Sequence, residues 1–96
     1  MPTYVYIGRD SERGLELRKL HREAHLARFE KLEAEGRIRF AGPLRDAESN
    51  PCGSAVIFEA DDLAAARAWA NADPYMVEGV FERIEVFETA PVFPKG

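Results

Sequence analysis

The stretch RIRFAGPLRDAESNPCGSAVIFE, residues 37–59, decides the fold. Its first five residues, Arg37 to Ala41, alternate polar and apolar, with Ile38 and Phe40 on one face, and predict a strand. Gly42-Pro43 reads as the end of that strand. Residues 44–53 read as a polar loop, with Asn50-Pro51 and Gly53 as turn signals, and Ser54 to Glu59 as a further strand. Two strands therefore follow one another in mid-chain with no helix between them.

Working outward, the segment before this pair is helical. From Leu15 to Glu35, Leu17, Leu20, Ala24, Ala27 and Leu32 recur at three- and four-residue steps, and Lys19, Arg22, Glu23 and Glu30 take the opposite side. Gly36 is the expected stop. Arg9 to Glu12 is a polar loop with two candidate caps, and Gly14 leaves the helix start anywhere between Ser11 and Leu15. Residues 3–7, Thr-Tyr-Val-Tyr-Ile, form the first strand. On the other side, Asp61 or Asp62 caps a helix that runs to Asn71 with Leu63, Ala66, Trp69 and Ala70 inward. Asp73 precedes Pro74, which pushes it out of the α region and into a turn. Val80 to Phe87 is the last strand, and Thr89 to Gly96, with Pro91 and Pro94, reads as a tail.

The order is β-α-β-β-α-β. It predicts an α+β domain of ferredoxin-like type: a four-stranded antiparallel sheet with two helices on one face. Residues 1–96 make a single domain with an ordered core at about 3–88. Alternation assigns Val5, Ile7, Ile38, Phe40, Val56, Phe58, Ile84 and Val86 to the helix side. The reverse face then carries Tyr4, Tyr6, Ile57, Phe81 and Phe87 among Arg39, Arg83 and Glu85, which is too apolar to face water. A second copy of the same face is the expected cover, giving a two-fold homodimer.

Bulk properties narrow the function. The net charge is −4 and the pI about 5.2, which argues against nucleic-acid binding, since that needs a basic surface. Cys52 is the only cysteine, so no intrachain disulfide forms. The N-terminus lacks a basic stretch followed by an apolar one, and no apolar run reaches membrane-spanning length. A cytoplasmic location with no membrane partner is expected. No glycine-rich phosphate loop is present, so no nucleotide cofactor is expected.

Several short pieces occur in a telling order: His25-Leu26, Glu35-Gly36-Arg37, Ala41-Gly42-Pro43, Gly53-Ser54, Ala70-Asn71-Ala72-Asp73-Pro74-Tyr75 and Gly79-Val80. Together they resemble the YCII (YciI-like) family over nearly the whole chain. The resemblance implies a ferredoxin-like subunit that pairs into a dimeric α/β barrel, and a pocket with a histidine and an aspartate matching His25 and Asp73. Relatives by fold include muconolactone isomerases and antibiotic-biosynthesis monooxygenases, so the fold alone does not fix the chemistry.

A carboxylate bonded to an imidazole fixes its tautomer and leaves the other nitrogen free to move protons near neutral pH. His25 and Asp73 are thus the candidate catalytic pair. The bland alternatives are a helix histidine at the core edge and a turn aspartate bonding local backbone. No serine or cysteine is placed as a nucleophile, so isomerisation or elimination on a small cyclic or aromatic acid is the expected chemistry. Ser54, Tyr75, Gly42 and Pro43 are the candidate substrate-binding residues. Arg22 and Arg28 flank the histidine and could hold an anionic substrate, but solvated salt bridges are the expected use of both. His21 and His25 lie four apart, but Glu23 is misplaced for the zinc-protease motif, and no metal site is expected. Two other readings stand beside the enzyme: a small-metabolite binding module without chemistry, and a dimeric accessory protein.

Overall fold

The computed structural model describes residues 1–95; Gly96, the last residue of the expected tail, lies outside them. In chain order the elements are β1 (Thr3–Asp10), α1 (Gly14–Ala34), β2 (Ile38–Arg45), β3 (Pro51–Glu59), α2 (Leu63–Asn71), α3 (Pro74–Val77) and β4 (Phe81–Thr89). The strands form one antiparallel sheet in the order β2-β3-β1-β4. This is the ferredoxin-like α+β arrangement.

The register explains which side chains reach the site. Ala41, Val56, Tyr6 and Val86 form one row across all four strands, and Pro43, Ser54, Gly8 and Ile84 form the next. Tyr4, Tyr6, Val56 and Phe58 are buried beneath the helices, with Ala66 and Ala70 of α2 and Leu32 of α1. Trp69 fills the centre, 5.0 Å from the Phe58 ring and 6.0 Å from Tyr6. As the spacing predicts, α2 turns Leu63, Ala66, Trp69 and Ala70 inward, and the Asp62 carboxylate caps it by accepting from the Ala65 N–H at 2.8 Å. Gly36 follows α1 with φ +70°, the left-handed conformation that ends a helix.

Five expectations need correction. On β1 the faces are exchanged: Tyr4 and Tyr6 point at the helices, while Val5 and Ile7 are half-buried on the reverse face. Both alternating sets are apolar enough to be core, so alternation alone cannot choose between them. On β2 the register slips between Ile38 and Phe40, so Phe40 pairs with Ile57 and turns to the reverse face. Phe81 lies on the helix side, its ring packed over Gly8 and edge-on to Tyr75 at 5.6 Å. A Cβ on Gly8 would sit 2.4 Å from that ring, so only glycine admits it.

The strand boundaries also move. β2 does not stop at Gly42-Pro43 but runs through them to Arg45, and β3 begins at Pro51. A proline is tolerated because β2 is an edge strand, where alternate N–H groups need no partner. The expected loop of residues 44–53 shrinks to a hairpin turn whose Asp46 carboxylate accepts from the Glu48 and Asn50 N–H groups. Finally, α1 is rotated from the predicted face. Leu20 is 73% exposed, and Ala24 and Ala27 are exposed as well. The inward stripe is Gly14, Leu17, His25, Phe29 and Leu32, with Arg18, His21 and Arg28 half-buried along it. Polar groups occupy a core stripe here, and the reason is the site.

Candidate functional site

Asp73 is built into its place by the sequence around it. Pro74 holds it in extended backbone (φ −57°, ψ 129°), and it becomes the N-cap of the short helix α3. Its Oδ1 accepts from the Tyr75 N–H at 2.9 Å. The same oxygen lies 2.7 Å from Nδ1 of His25, and Oδ2 accepts from the Tyr6 hydroxyl at 2.5 Å. The carboxylate is 1% exposed and His25 is 6% exposed. An ionised carboxylate can only accept, so Nδ1 carries the proton and Nε2 presents its lone pair. Nε2 has no hydrogen-bond partner among the described residues and is not sealed from solvent.

The electrostatics keep Asp73 an acceptor. Burial pushes the Asp73 carboxyl up, but the His25 hydrogen bond and charge, with the bonds from Tyr6 and the Tyr75 N–H, outweigh it and hold the carboxyl below its usual range. Burial, then the Asp73 charge and the hydrogen bond to it, push the Tyr6 phenol far above its ordinary value, so Tyr6 remains a donor. Packing fixes the imidazole plane. His25 stacks on Tyr75 with ring centroids 3.7 Å apart and planes 5° from parallel, and Phe29 meets it edge-on at 4.7 Å.

His25 opens into a cleft of about 510 Å³ between α1 and the β2–β3 half of the sheet. Ser54, Tyr75, Gly42 and Pro43 all line it, and Asp73 lies behind the histidine. Tyr75 packs on His25 and Phe81. Arg22 lines the cleft, and Arg28 does not. The Arg28 guanidinium sits 4.0 Å over the Trp69 ring and donates to the Trp69 carbonyl at 2.6 Å. His21 points instead toward Glu78, 4.0 Å away. Among the described residues no three His, Cys, Asp or Glu side chains come together to hold a metal.

Sequence reasoning missed three residues. Tyr6 was assigned to the wrong face. Arg18 was not singled out, and its partner Asp10 was read as part of a polar loop. Arg18 donates to both Asp10 oxygens at 2.8 Å, to the Gly53 carbonyl at 2.8 Å and to the Ser54 hydroxyl at 3.3 Å. Gly14 makes that possible, since a Cβ there would lie 2.6 Å from the Asp10 carboxylate. The i to i+7 spacing of Arg18 and His25 was the available signal. The cleft wall also carries Lys19 and Arg45, so four cations and no carboxylate line it, in a chain of net charge −4.

A ferredoxin-like domain with a buried histidine–aspartate pair at the floor of a cationic cleft is the class these features define. The chain belongs to the YCII-related domain family, whose model matches residues 2–90. It is 44% identical over 96 residues to the protein YciI of Escherichia coli, covering 94% of this chain and 98% of that one. A Haemophilus influenzae protein is 38% identical over the same coverage. Among solved structures it is similar to the 5-chloro-2-hydroxyhydroquinone dehydrochlorinase TftG of Burkholderia phenoliruptrix, in complex with 2,5-dihydroxybenzoquinone. That likeness has a TM-score of 0.81 at 26% identity, covering 92% of this chain and 93% of TftG. No helix among the described residues is long and apolar enough to cross a membrane.

Proposed function

We propose that this protein is a small cytoplasmic enzyme that moves protons on a compact cyclic or aromatic acid, with His25 as base and acid and Asp73 as its orienting partner. The observation that carries the reading is the His25 imidazole itself: Nδ1 is committed to a buried carboxylate and Nε2 is unspent at the cleft. A base held in one tautomer and in hydrogen-bond reach of a bound ligand is what proton transfer requires. The cationic lining favours an anionic ligand, since Lys19, Arg22 and Arg45 have no carboxylate partner among the described residues.

Elimination is the better of the two reactions because TftG, with the same fold, is a dehydrochlorinase. A chlorinated hydroxyhydroquinone is therefore the first substrate to try, and 2,5-dihydroxybenzoquinone the first ligand. In this reading the reverse sheet face pairs two copies into a homodimer, with no nucleic acid, membrane or cofactor involved. The test is chloride release from 5-chloro-2-hydroxyhydroquinone by wild type, His25→Gln and Asp73→Asn. Release by wild type, lost in both variants, supports the reading. Binding without turnover, across that compound and related ring acids, contradicts it in favour of a binding module.

A further inference from the structure

We propose that Arg18 receives the negative charge that develops on a substrate oxygen when His25 removes a proton, and so restricts the cleft to rings whose acidic hydrogen is conjugated to a carbonyl or phenolic oxygen. This assignment rests on the acid–base reading of the site.

Three observations carry it. First, Arg18 and His25 stand seven residues apart on α1, two turns along one face, about 10 Å between backbone positions. Both touch the same Tyr75 ring, His25 by stacking at 3.7 Å and Arg18 with its Cζ 5.0 Å from the centroid. Both line the same cleft. Second, the guanidinium is fixed before any ligand arrives. Nε and Nη2 are spent on Asp10, Gly53 and Ser54, so the fork cannot swing. Third, Nη1 makes none of these bonds; the Tyr75 hydroxyl is the guanidinium's remaining hydrogen-bonding neighbour, which leaves at least one Nη1 N–H donor for a ligand. Ser54, held at 3.3 Å from Nη2, adds a hydroxyl on the same side of the cleft. The Asp10 carboxylate cancels the net charge, so Arg18 acts as a rigid hydrogen-bond donor rather than as a bare cation.

The chemistry balances without a redox partner. The substrate C–H or O–H bond breaks, its proton goes to Nε2, and the electron pair moves onto the conjugated oxygen, against Nη1. In isomerisation the imidazolium returns the proton to another carbon. In elimination from a halogenated phenol the imidazolium returns the proton to the halogen-bearing ring carbon as the oxyanion becomes a carbonyl. Loss of a second hydroxyl proton to Nε2 then sends that O–H pair through the ring, and the halide leaves the sp3 carbon with the carbon–halogen bonding pair. Donors set in place for a developing oxyanion lower the barrier because they need no reorganisation as charge moves.

The experiment is a visible-absorbance titration with 2,5-dihydroxybenzoquinone, a coloured ring acid whose ionised form imitates the intermediate. Wild type should bind the ionised form. Arg18→Gln should weaken binding roughly ten- to hundred-fold, the usual worth of a charge-assisted hydrogen bond. It should also move the ionisation of the bound quinone to higher pH, an effect that a packing role would not give. Arg18→Lys keeps an ion pair for Asp10 and so guards against a folding failure in the glutamine variant. It should also bind several-fold more weakly, because an ammonium cannot serve Asp10 and the ligand with a planar fork. If wild type binds no quinone anion, both this assignment and the acid–base reading fall. If wild type binds and both folded variants bind within about twofold of it, with the quinone ionising at the same pH, the Arg18 assignment alone is overturned.

Discussion

The two faces of the sheet invert the usual order of polarity. The helix-facing side of β1 carries two phenols, Tyr4 and Tyr6, and its register rows lead to Ser54, His25 and Asp73. The reverse side carries a row of aliphatic and aromatic residues across all four strands, Phe40, Ile57, Val5 and Phe87. Phe40 and Phe87 are each 52% exposed there. On the helix side the buried Tyr6 hydroxyl is satisfied by Asp73. The apolar row is left for something else to cover.

The sharpest way to break this comparison is at the site. His25→Gln and Asp73→Asn should each lower proton-transfer activity about 10²- to 10⁴-fold while the protein remains folded, measured as initial rate on the chlorinated hydroxyhydroquinone. Activity within a few-fold of wild type in either variant would reduce the pair to a structural feature.

The next test falls on the reverse face. Phe40→Ser with Phe87→Ser should convert a dimer to a monomer in sedimentation velocity, while the His25–Asp73 pair, on the opposite face, stays intact. A wild type that sediments as a monomer would show that the apolar row is left uncovered.

A smaller effect is expected of Tyr6→Phe. It strips one donor from a carboxylate that is 1% exposed, which should cost about 1–3 kcal/mol in urea unfolding. The same deletion of a hydroxyl at Tyr4, whose phenol has no hydrogen-bond partner among the described residues, should cost less.

The smallest effect is in acid. Asp73 is held below its ordinary pKa of about 3.9, so its contribution to stability is complete above that value and is lost as pH falls through the lower folded-state value. Wild type should therefore lose melting temperature below about pH 4 more steeply than Asp73→Asn. Parallel curves would mean that the carboxylate is not held ionised by its partners.

What the sequence could disclose follows from the same contrast. The element order, the Asp62 cap, the Gly36 stop and the inward face of α2 were legible, because each depends on local chemistry. The turn position of Asp73 was legible through Pro74. The facing of β1 was not, because Tyr-Val-Tyr-Ile offers two apolar sets and the choice rests on a hydrogen bond 67 residues away. The facing of α1 misled for a related reason. Of its predicted stripe Leu20, Ala24 and Ala27 point outward, and the core stripe that keeps Leu17 and Leu32 also holds His25 and Arg18, whose burial Asp73 and Asp10 make possible. Phe40 was lost to a bulge, which periodicity does not register. The family resemblance drew attention to His25 and Asp73, but the residues around them, Tyr6 and Arg18 above all, needed three dimensions.

The most direct measurement of the central claim is a long-range ¹H–¹⁵N correlation spectrum of His25 in the neutral imidazole form. The geometry predicts the Nδ1–H tautomer in wild type, with Nε2 unprotonated, and release toward the Nε2–H form usual for free imidazole in Asp73→Ala. An Nε2–H tautomer in wild type, or the same mixture in both proteins, would contradict the account.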